Sequence, residues 1–465
     1  MTVAGAAPQL KRQLSPLDVL LLTMSALSPT LSVFIGGNGV LRLAGSGAAI
    51  AFIIGGVFSA IFTLLYAEIA AAFPGAGGTY PSLTRLLGPR ISFPYVMISV
   101  TLVFPSLALS AVGLGDYGHV LLPAVPEHLI AVAGIGAAVA ISIINLRQSA
   151  VITGVFLALE MLVLGVVAAL AISHPVQNLL SAVAHPQMLD HGALRPTPLA
   201  ALALASVSGI WASAGGSWAL SFAEDMVDAQ RRIGRVVAWT GVIAAATIAI
   251  PMIWITLAIG HDPHLLAAKV PIAAFVSQIG GSTVNLWVNI GVVVAIFNHL
   301  IVALIGSARY LFATARDGVW PRPVNQFLLR LHPRFHSPIG AALVLGGLTA
   351  LCAFAPKRAL LVLVSGWMLN YLLIPLAVMV GRRTGQTGRW FRAPLHPAVP
   401  VIGIVVMIGS TLSDWLDAES GRPSMMLIFG AYALALGYYQ WHLARTGKPI
   451  VLGGSDLVDK TVPQT

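Results

Sequence analysis

Residues 25–34 read Ser25-Ala26-Leu27-Ser28-Pro29-Thr30-Leu31-Ser32-Val33-Phe34, inside an apolar run that extends from 17 to 37. A proline within a helix has no N–H for the preceding turn, and its ring disturbs that turn. Serine and threonine beside it can take over the freed backbone groups. The stretch therefore reads as a helix interrupted at mid-depth. A second interruption lies in the run 199–224, at Ser206-Val207-Ser208-Gly209-Ile210-Trp211-Ala212-Ser213-Ala214-Gly215-Gly216-Ser217. Glycine and serine weaken a helix interior, so a break is expected there. Interrupted helices at corresponding places of two halves point to the central site of a transporter. The competing reading is close helix packing, because small residues also line ordinary contacts between membrane helices.

Composition places these runs in a membrane. The chain is 57% hydrophobic and 9% charged, with a mean hydropathy of +0.87, whereas soluble chains carry about 25% charged residues. About twelve apolar stretches have the length that a bilayer-spanning helix requires. They fall near 17–37, 47–73, 92–115, 127–145, 149–173, 199–224, 234–260, 283–314, 338–355, 359–381, 398–416 and 424–443. The weaker alternating segments of a closed barrel are not seen. The first run lacks a small-residue cleavage site after it and reads as a membrane helix, not a signal peptide. The interrupted helices are five apart, the spacing of an inverted repeat of helices 1–5 and 6–10 with helices 11 and 12 appended. The expected fold is an all-α integral membrane protein of about twelve transmembrane helices, a five-plus-five inverted repeat with discontinuous helices 1 and 6. One transporter domain is expected over 16–445, between an N-terminal segment 1–15 and a C-terminal tail 446–465.

Lysine and arginine in short loops set the orientation. With the N-terminus inside, twenty fall in inward loops and tails and six in outward ones. Both termini are therefore expected in the cytoplasm of a cell with the protein in its cytoplasmic (inner) membrane. The same asymmetry underlies the net charge of +10, and the scatter of basic residues over many loops removes any need for a nucleic-acid partner. Cys352 is the only cysteine, so an internal disulfide and a cysteine metal cluster are both excluded. No metal or cofactor is expected. His174, His185 and His191 share the outward loop near 174–198, but prolines interrupt any ligand spacing, and a solvated loop is expected. His332 and His336 have helical ligand spacing, yet Pro333 and Pro338 argue against a helix there.

Three further segments carry a family likeness. One is Tyr66-Ala67-Glu68-Ile69-Ala70-Ala71-Ala72-Phe73-Pro74-Gly75-Ala76-Gly77-Gly78-Thr79-Tyr80, followed by Leu87-Gly88-Pro89. Another is Gly306-Ser307-Ala308-Arg309-Tyr310-Leu311-Phe312-Ala313-Thr314-Ala315-Arg316-Asp317-Gly318-Val319-Trp320-Pro321, continued by Pro338. The third is Phe222-Ala223-Glu224-Asp225 with Arg231-Arg232-Ile233. Over about residues 16–445 the chain resembles the amino acid–polyamine–organocation family of secondary transporters. The resemblance implies the five-plus-five fold and alternating access. The chain departs from the family at Thr30-Leu31-Ser32, where a Gly-Ser-Gly-type break is usual, and at Ser217, where an acidic or aromatic residue is common.

A broken helix offers backbone donors at one half-helix end and carbonyls at the other, which suits a zwitterion without charged side chains. Candidate substrate liners are Ser28, Thr30, Leu31 and Ser32 of helix 1, with Ser213, Ala214, Gly215 and Ser217 of helix 6. A bulky side chain at Gly215 is expected to abolish binding and leave folding intact. Trp211 matches an aromatic gate of related exchangers, with membrane packing as the alternative. Glu160 lies mid-helix 5 with no lysine or arginine near it in sequence. A charged carboxylate there costs about 2.5–3.5 kcal/mol on insertion scales. Proton coupling is the expected role; the alternative is a permanently neutral acid bonded to a neighbouring helix. Asn298 and His299 interrupt helix 8 and either line the pathway or bond between helices. Asp116, at the outer end of helix 3, is an exposed carboxylate that could attract cations. Glu68, Arg85, Glu224, Asp225, Arg231, Arg235, Arg316 and Asp317 are candidates for an inner gate.

The expected function is secondary active transport of amino acids or related small amines, proton-coupled, with the substrate, the proton and the lipid bilayer as partners. Substrate-for-substrate exchange on the same fold is the alternative. An intramembrane enzyme would need a zinc, nucleophile-elbow or phosphate-loop motif, and none is present. A channel would need a continuous filter or a ring of charges.

Overall fold

The computed structural model describes residues 13–75, 77–144, 146–365, 367–450 and 452–453. Helices fall at all twelve expected positions. Among the described residues eight helical stretches are long and apolar enough to cross a membrane; one of them, Pro16–Ala72, takes in expected helices 1 and 2. Shorter apolar helices, Glu127–Ile143 and Ile339–Cys352, stand at positions 4 and 9. The twelfth position is Gly421–Thr446, a helix of modest apolarity. The protein is a mostly helical, multi-pass membrane protein, and both helix 1 and helix 6 are discontinuous.

Helix 1 runs as Pro16–Leu27, then Pro29–Leu31, a wide turn at Ser32–Gly37 and Asn38–Ala44. Its start is fixed by a capping box in which Ser15 and Asp18 bond each other's backbone N–H at 2.8 and 3.2 Å. Two carboxylate and hydroxyl acceptors thereby satisfy donors that the first turn cannot. Helix 6 is Leu199–Ser213, followed after Ala214 and Gly215 by a tight turn of helix, Gly216–Phe222. Helix 8 belongs to Pro271–Arg316, which bends at Gly281 with φ 79°. Helix 5 is Leu146–Ser173, helix 7 is Ala229–Ile259 and helix 2 is Ala48–Ala72. Helix 2 packs on helices 6 and 7, and the first half of helix 1 packs on helices 5 and 8. These elements form the centre, where helix 8 is the most enclosed span.

Helices 2 and 6 touch backbone to backbone. A Cβ on Gly55 would lie 2.5 Å from the Gly209 carbonyl oxygen, and one on Gly209 would lie 2.5 Å from that of Ala51. Such small-residue contacts replace the hydrophobic drive that lipid does not supply. The expected solvated loop near 174–198 is instead partly folded. Gln187–Asp190 and Ala193–Pro196 pair as an antiparallel hairpin, turning through His191 and Gly192 at positive φ. The Gln187 N–H donates to Ser46 Oγ at 2.9 Å, which anchors the hairpin to the helix 1–2 corner. The sequence cue was present in the β-branched-poor but turn-rich Asp190-His191-Gly192, which suits a short hairpin turn.

The first and last described stretches pack beside the ends of helices 6 and 8. Leu14 forms a parallel bridge with Met226 after helix 6, and the Gly453 N–H donates to the Asp317 carboxylate after helix 8. Among the described residues three ion pairs are buried. Arg309 meets Asp225 at 2.9 Å, Arg316 meets Glu224 at 3.1 Å, and Arg382 meets Glu68 at 2.5 Å. Tyr80 donates its hydroxyl to Asp317 at 2.8 Å.

Candidate functional site

The break in helix 1 follows from Pro29. The residue before a proline is pushed out of the helical region, and Ser28 adopts φ 50° and ψ 89°. Proline itself suits the first position of the new half-helix, where an N–H would be orphaned anyway. The remaining first-turn donors then all find partners within the chain. The Thr30 N–H donates to Glu160 Oε1 at 2.9 Å, and the Leu31 N–H to Ser28 Oγ at 3.3 Å. The Ser32 N–H donates to the Ser28 carbonyl at 3.0 Å. The Ser28 hydroxyl also donates to Glu160 Oε1, at 2.7 Å, and the Thr30 hydroxyl to the Glu160 backbone carbonyl, at 3.2 Å. A carboxyl from helix 5 thus caps the positive end of the second half of helix 1, where anions are favoured.

Glu160 and Asn298 are both fully buried. Asn298 of helix 8 stands beside the Glu160 carboxyl, within its electrostatic reach. Glu160 Oε2 and both amide atoms of Asn298 nevertheless make no direct hydrogen bond among the described residues. His299 ties helix 8 to helix 1 and to Ser110 of helix 3, which spans Pro89–Leu121. Its Nδ1 lies 2.5 Å from the Ala26 carbonyl and its Nε2 3.2 Å from Ser110 Oγ. A carbonyl only accepts, so Nδ1 carries the proton in that contact.

Leu27, next to the first break, lies against Gly215 of the second. A Cβ on Gly215 would fall 2.9 Å from Leu27 Cβ and 2.3 Å from Leu27 Cδ1. This corrects the expectation that a large side chain at Gly215 would spare folding: even alanine overpacks the contact. Gly215→Ala is expected to destabilise the protein by about 1–3 kcal/mol, the usual range for overpacking. The melting temperature decides this, and a Gly215→Ala variant as stable as the wild type would refute the contact.

The remaining candidates divide between two directions. Ser28 and Thr30 are buried and face Glu160. Ser32 is also buried, whereas Leu31 is half-buried. On helix 6, Ala214, Gly215 and Ser217 border a narrow cleft with Phe62 and Tyr66 of helix 2 and Tyr371 of helix 10. The cleft holds about 20 Å³, room for about one water. Ser213 is buried, and its hydroxyl makes no hydrogen bond among the described residues. Trp211 is 40% exposed, with its ring 6.5 Å from that of Tyr371 in an edge-on contact. It joins an aromatic group in which Phe62, Tyr66 and Tyr371 pack edge to face.

Asp116 bonds Lys357 at 2.7 Å, so its charge is matched. The His332 ring accepts backbone N–H groups of Arg334 and Phe335, which makes it a turn cap and not half of a ligand pair. Arg309 and Arg382 are the partners that sequence reasoning did not assign to the inner network. Arg309 had a signal: it sits within the last apolar turns of helix 8, where a buried arginine requires a carboxylate. Burial pushes the Asp225 carboxyl up, and the Arg309 guanidinium opposes that shift.

A model of the amino acid permease family matches residues 14–436. The chain belongs to the amino acid permease family. It is 28% identical over 404 residues to an uncharacterized transporter of Mycobacterium tuberculosis, covering 86% of each chain. It is 25% identical to the branched-chain amino acid permease of Bacillus subtilis, covering 85% of this chain and 86% of that one. The human Asc-type amino acid transporter 1 is 24% identical, over 86% of this chain and 76% of its own. This permease is therefore a transporter and not an enzyme.

Proposed function

We propose that this permease carries amino acids or related small amines across the cytoplasmic membrane by alternating access, coupled to protons at Glu160. The observation that carries the coupling is the Glu160 carboxyl seated on the Ser28 hydroxyl and the Thr30 N–H at the helix 1 break. A single buried acid that also holds a broken helix links a protonation state to the shape of the pathway. The substrate site is placed at the two breaks, on Ser28, Thr30, Leu31 and Ser32 and on Ser213, Ala214, Gly215 and Ser217, with Trp211 as the gate. Asn298 and His299 serve the same pathway from helix 8. The transporter domain is 16–445, and the flanking segments 1–15 and 446–465 lie in the cytoplasm, as the twenty-to-six loop asymmetry favours. The Arg309–Asp225, Arg316–Glu224 and Arg382–Glu68 ion pairs then close the inner mouth.

The named relatives narrow the cargo to small molecules. One is a branched-chain amino acid permease, one an Asc-type amino acid transporter and one, 23% identical, a methylthioribose transporter. The test is uptake of labelled amino acids and amines by proteoliposomes of the full chain with the outside made acidic. Uptake above equilibrium that a protonophore collapses is the expected result. Accumulation that follows a sodium gradient and ignores the proton gradient would overturn the coupling.

A further inference from the structure

We propose that Glu160 holds the place of the substrate's own carboxylate. In this account an amino acid's α-carboxylate takes over the Ser28 hydroxyl and the Thr30 N–H, while Glu160, carrying a proton, turns onto Asn298. The inference rests on the functional reading above and adds to it a substrate class, a carboxylate-bearing amine, and a role for Asn298.

The donors of the half-helix leave little choice. Pro29 has no N–H, and the Leu31 and Ser32 N–H groups are bonded to Ser28. The Thr30 N–H and the Ser28 hydroxyl are bonded to Glu160. A substrate carboxylate can use this helix end only by replacing Glu160 there. Two ionised carboxylates cannot share the same donors, since like charges at that distance disfavour both being charged. Glu160 must therefore be neutral when the substrate carboxylate is in place.

The second position is already built. Asn298 lies near enough to the Glu160 carboxyl to donate to it, yet Glu160 Oε2 and both amide atoms of Asn298 are buried without a close hydrogen bond among the described residues. A carboxylic acid offers one O–H and one carbonyl, and a primary amide offers N–H and one carbonyl. The two make a reciprocal pair of hydrogen bonds. The Asn298 N–H can donate to either charge state, but only the neutral acid has an O–H for the Asn298 oxygen, so the reciprocal pair requires the proton.

Other titratable groups on the helices packed against helix 5 lie away from this point. Helix 1 carries Asp18 and Arg42 near its ends; helix 7 carries Arg231, Arg232 and Arg235 in its first turns. Helix 4, Glu127–Ile143, begins with Glu127 and His128. Helix 8 carries Arg309 and Arg316 toward its end, paired with Asp225 and Glu224. His299 is the near neighbour, and its ring is committed to Ala26 and Ser110.

The test is titration calorimetry on the purified full chain in buffers of different ionisation enthalpy. The common L-amino acids are screened singly, and each binder is compared with the amine left by removing its carboxylate. At a pH alkaline enough for Glu160 to be ionised in the free protein, the expected result is about one proton taken up per amino acid bound and none per amine. Glu160→Gln should bind the amino acid with no proton uptake. Asn298→Ala should weaken the amino acid about tenfold and leave the amine alone, which a merely structural loss would not do. Wild type binding the amino acid without proton uptake would overturn the inference, as would equal uptake with the amine or equal weakening of both ligands by Asn298→Ala. Those results leave the transporter reading standing. Binding of no amino acid and no amine would instead remove the functional reading and this inference together.

Discussion

Glu160→Gln in proteoliposomes is expected to go on exchanging labelled substrate across the membrane and to accumulate none of it on a pH gradient. The amide keeps an acceptor oxygen for the Ser28 hydroxyl and the Thr30 N–H, the two bonds that Glu160 Oε1 accepts at 2.7 and 2.9 Å. The break in helix 1 should therefore hold. What the variant lacks is a group that changes charge between the two faces. Exchange moves no net proton and needs no such group, whereas concentrative uptake does. The loss of accumulation should be complete rather than partial, because a gradient acts on a transport equilibrium only through an ion that the cycle binds differently in its two states. The measurement is uptake with an imposed gradient beside counterflow with none. Concentrative uptake by the variant would make the carboxyl structural.

The second large effect is expected at the Glu68–Arg382 ion pair. Glu68 is fully buried near the end of helix 2 and accepts four hydrogen bonds. Two come from Arg382, at 2.8 and 2.5 Å, one from Thr387, at 2.9 Å, and one from the Ala393 N–H, at 2.8 Å. Arg382 also donates to the Ala393 carbonyl at 2.6 Å. This cluster ties helix 2 to the segment between helices 10 and 11. Arg382→Ala removes the counter-ion and leaves a buried carboxylate, at a cost of about 3–5 kcal/mol. Replacing both partners, Glu68→Met with Arg382→Leu, takes away the charge along with its partner and should regain much of that loss. Thermal unfolding in detergent gives both numbers. A single variant as stable as wild type would mean that water reaches the pair, and that the cluster does not hold the two segments together.

Much of the architecture could be read along the chain because a bilayer imposes it. Each spanning segment must satisfy its own backbone and present an apolar exterior, so twelve runs announce twelve helices. The breaks were legible for a similar local reason: Pro29 and the Gly215-Gly216 pair act on the turns that contain them. Trp211 shows the limit of that reading. Its place beside the helix 6 break was evident, but its contact with Tyr371 depends on how helix 10 packs. The hairpin at 187–196 was missed because its anchor, Ser46, is 141 residues away in sequence.

The sequence by itself determined that this is a many-helix membrane protein, where two of its helices break, and that one acid lies in its apolar interior. Those properties follow from local backbone chemistry and from the cost of burying charge. Only the tertiary structure decided what that acid does with its oxygens. Helices 1, 5 and 8 bring Ser28, Glu160 and Asn298 together from positions more than a hundred residues apart. The sequence had assigned the free donors of helix 1 to substrate. In the folded chain Glu160 takes them, because a half-helix end in a low-dielectric interior binds the nearest available carboxyl, and packing determines which one is near.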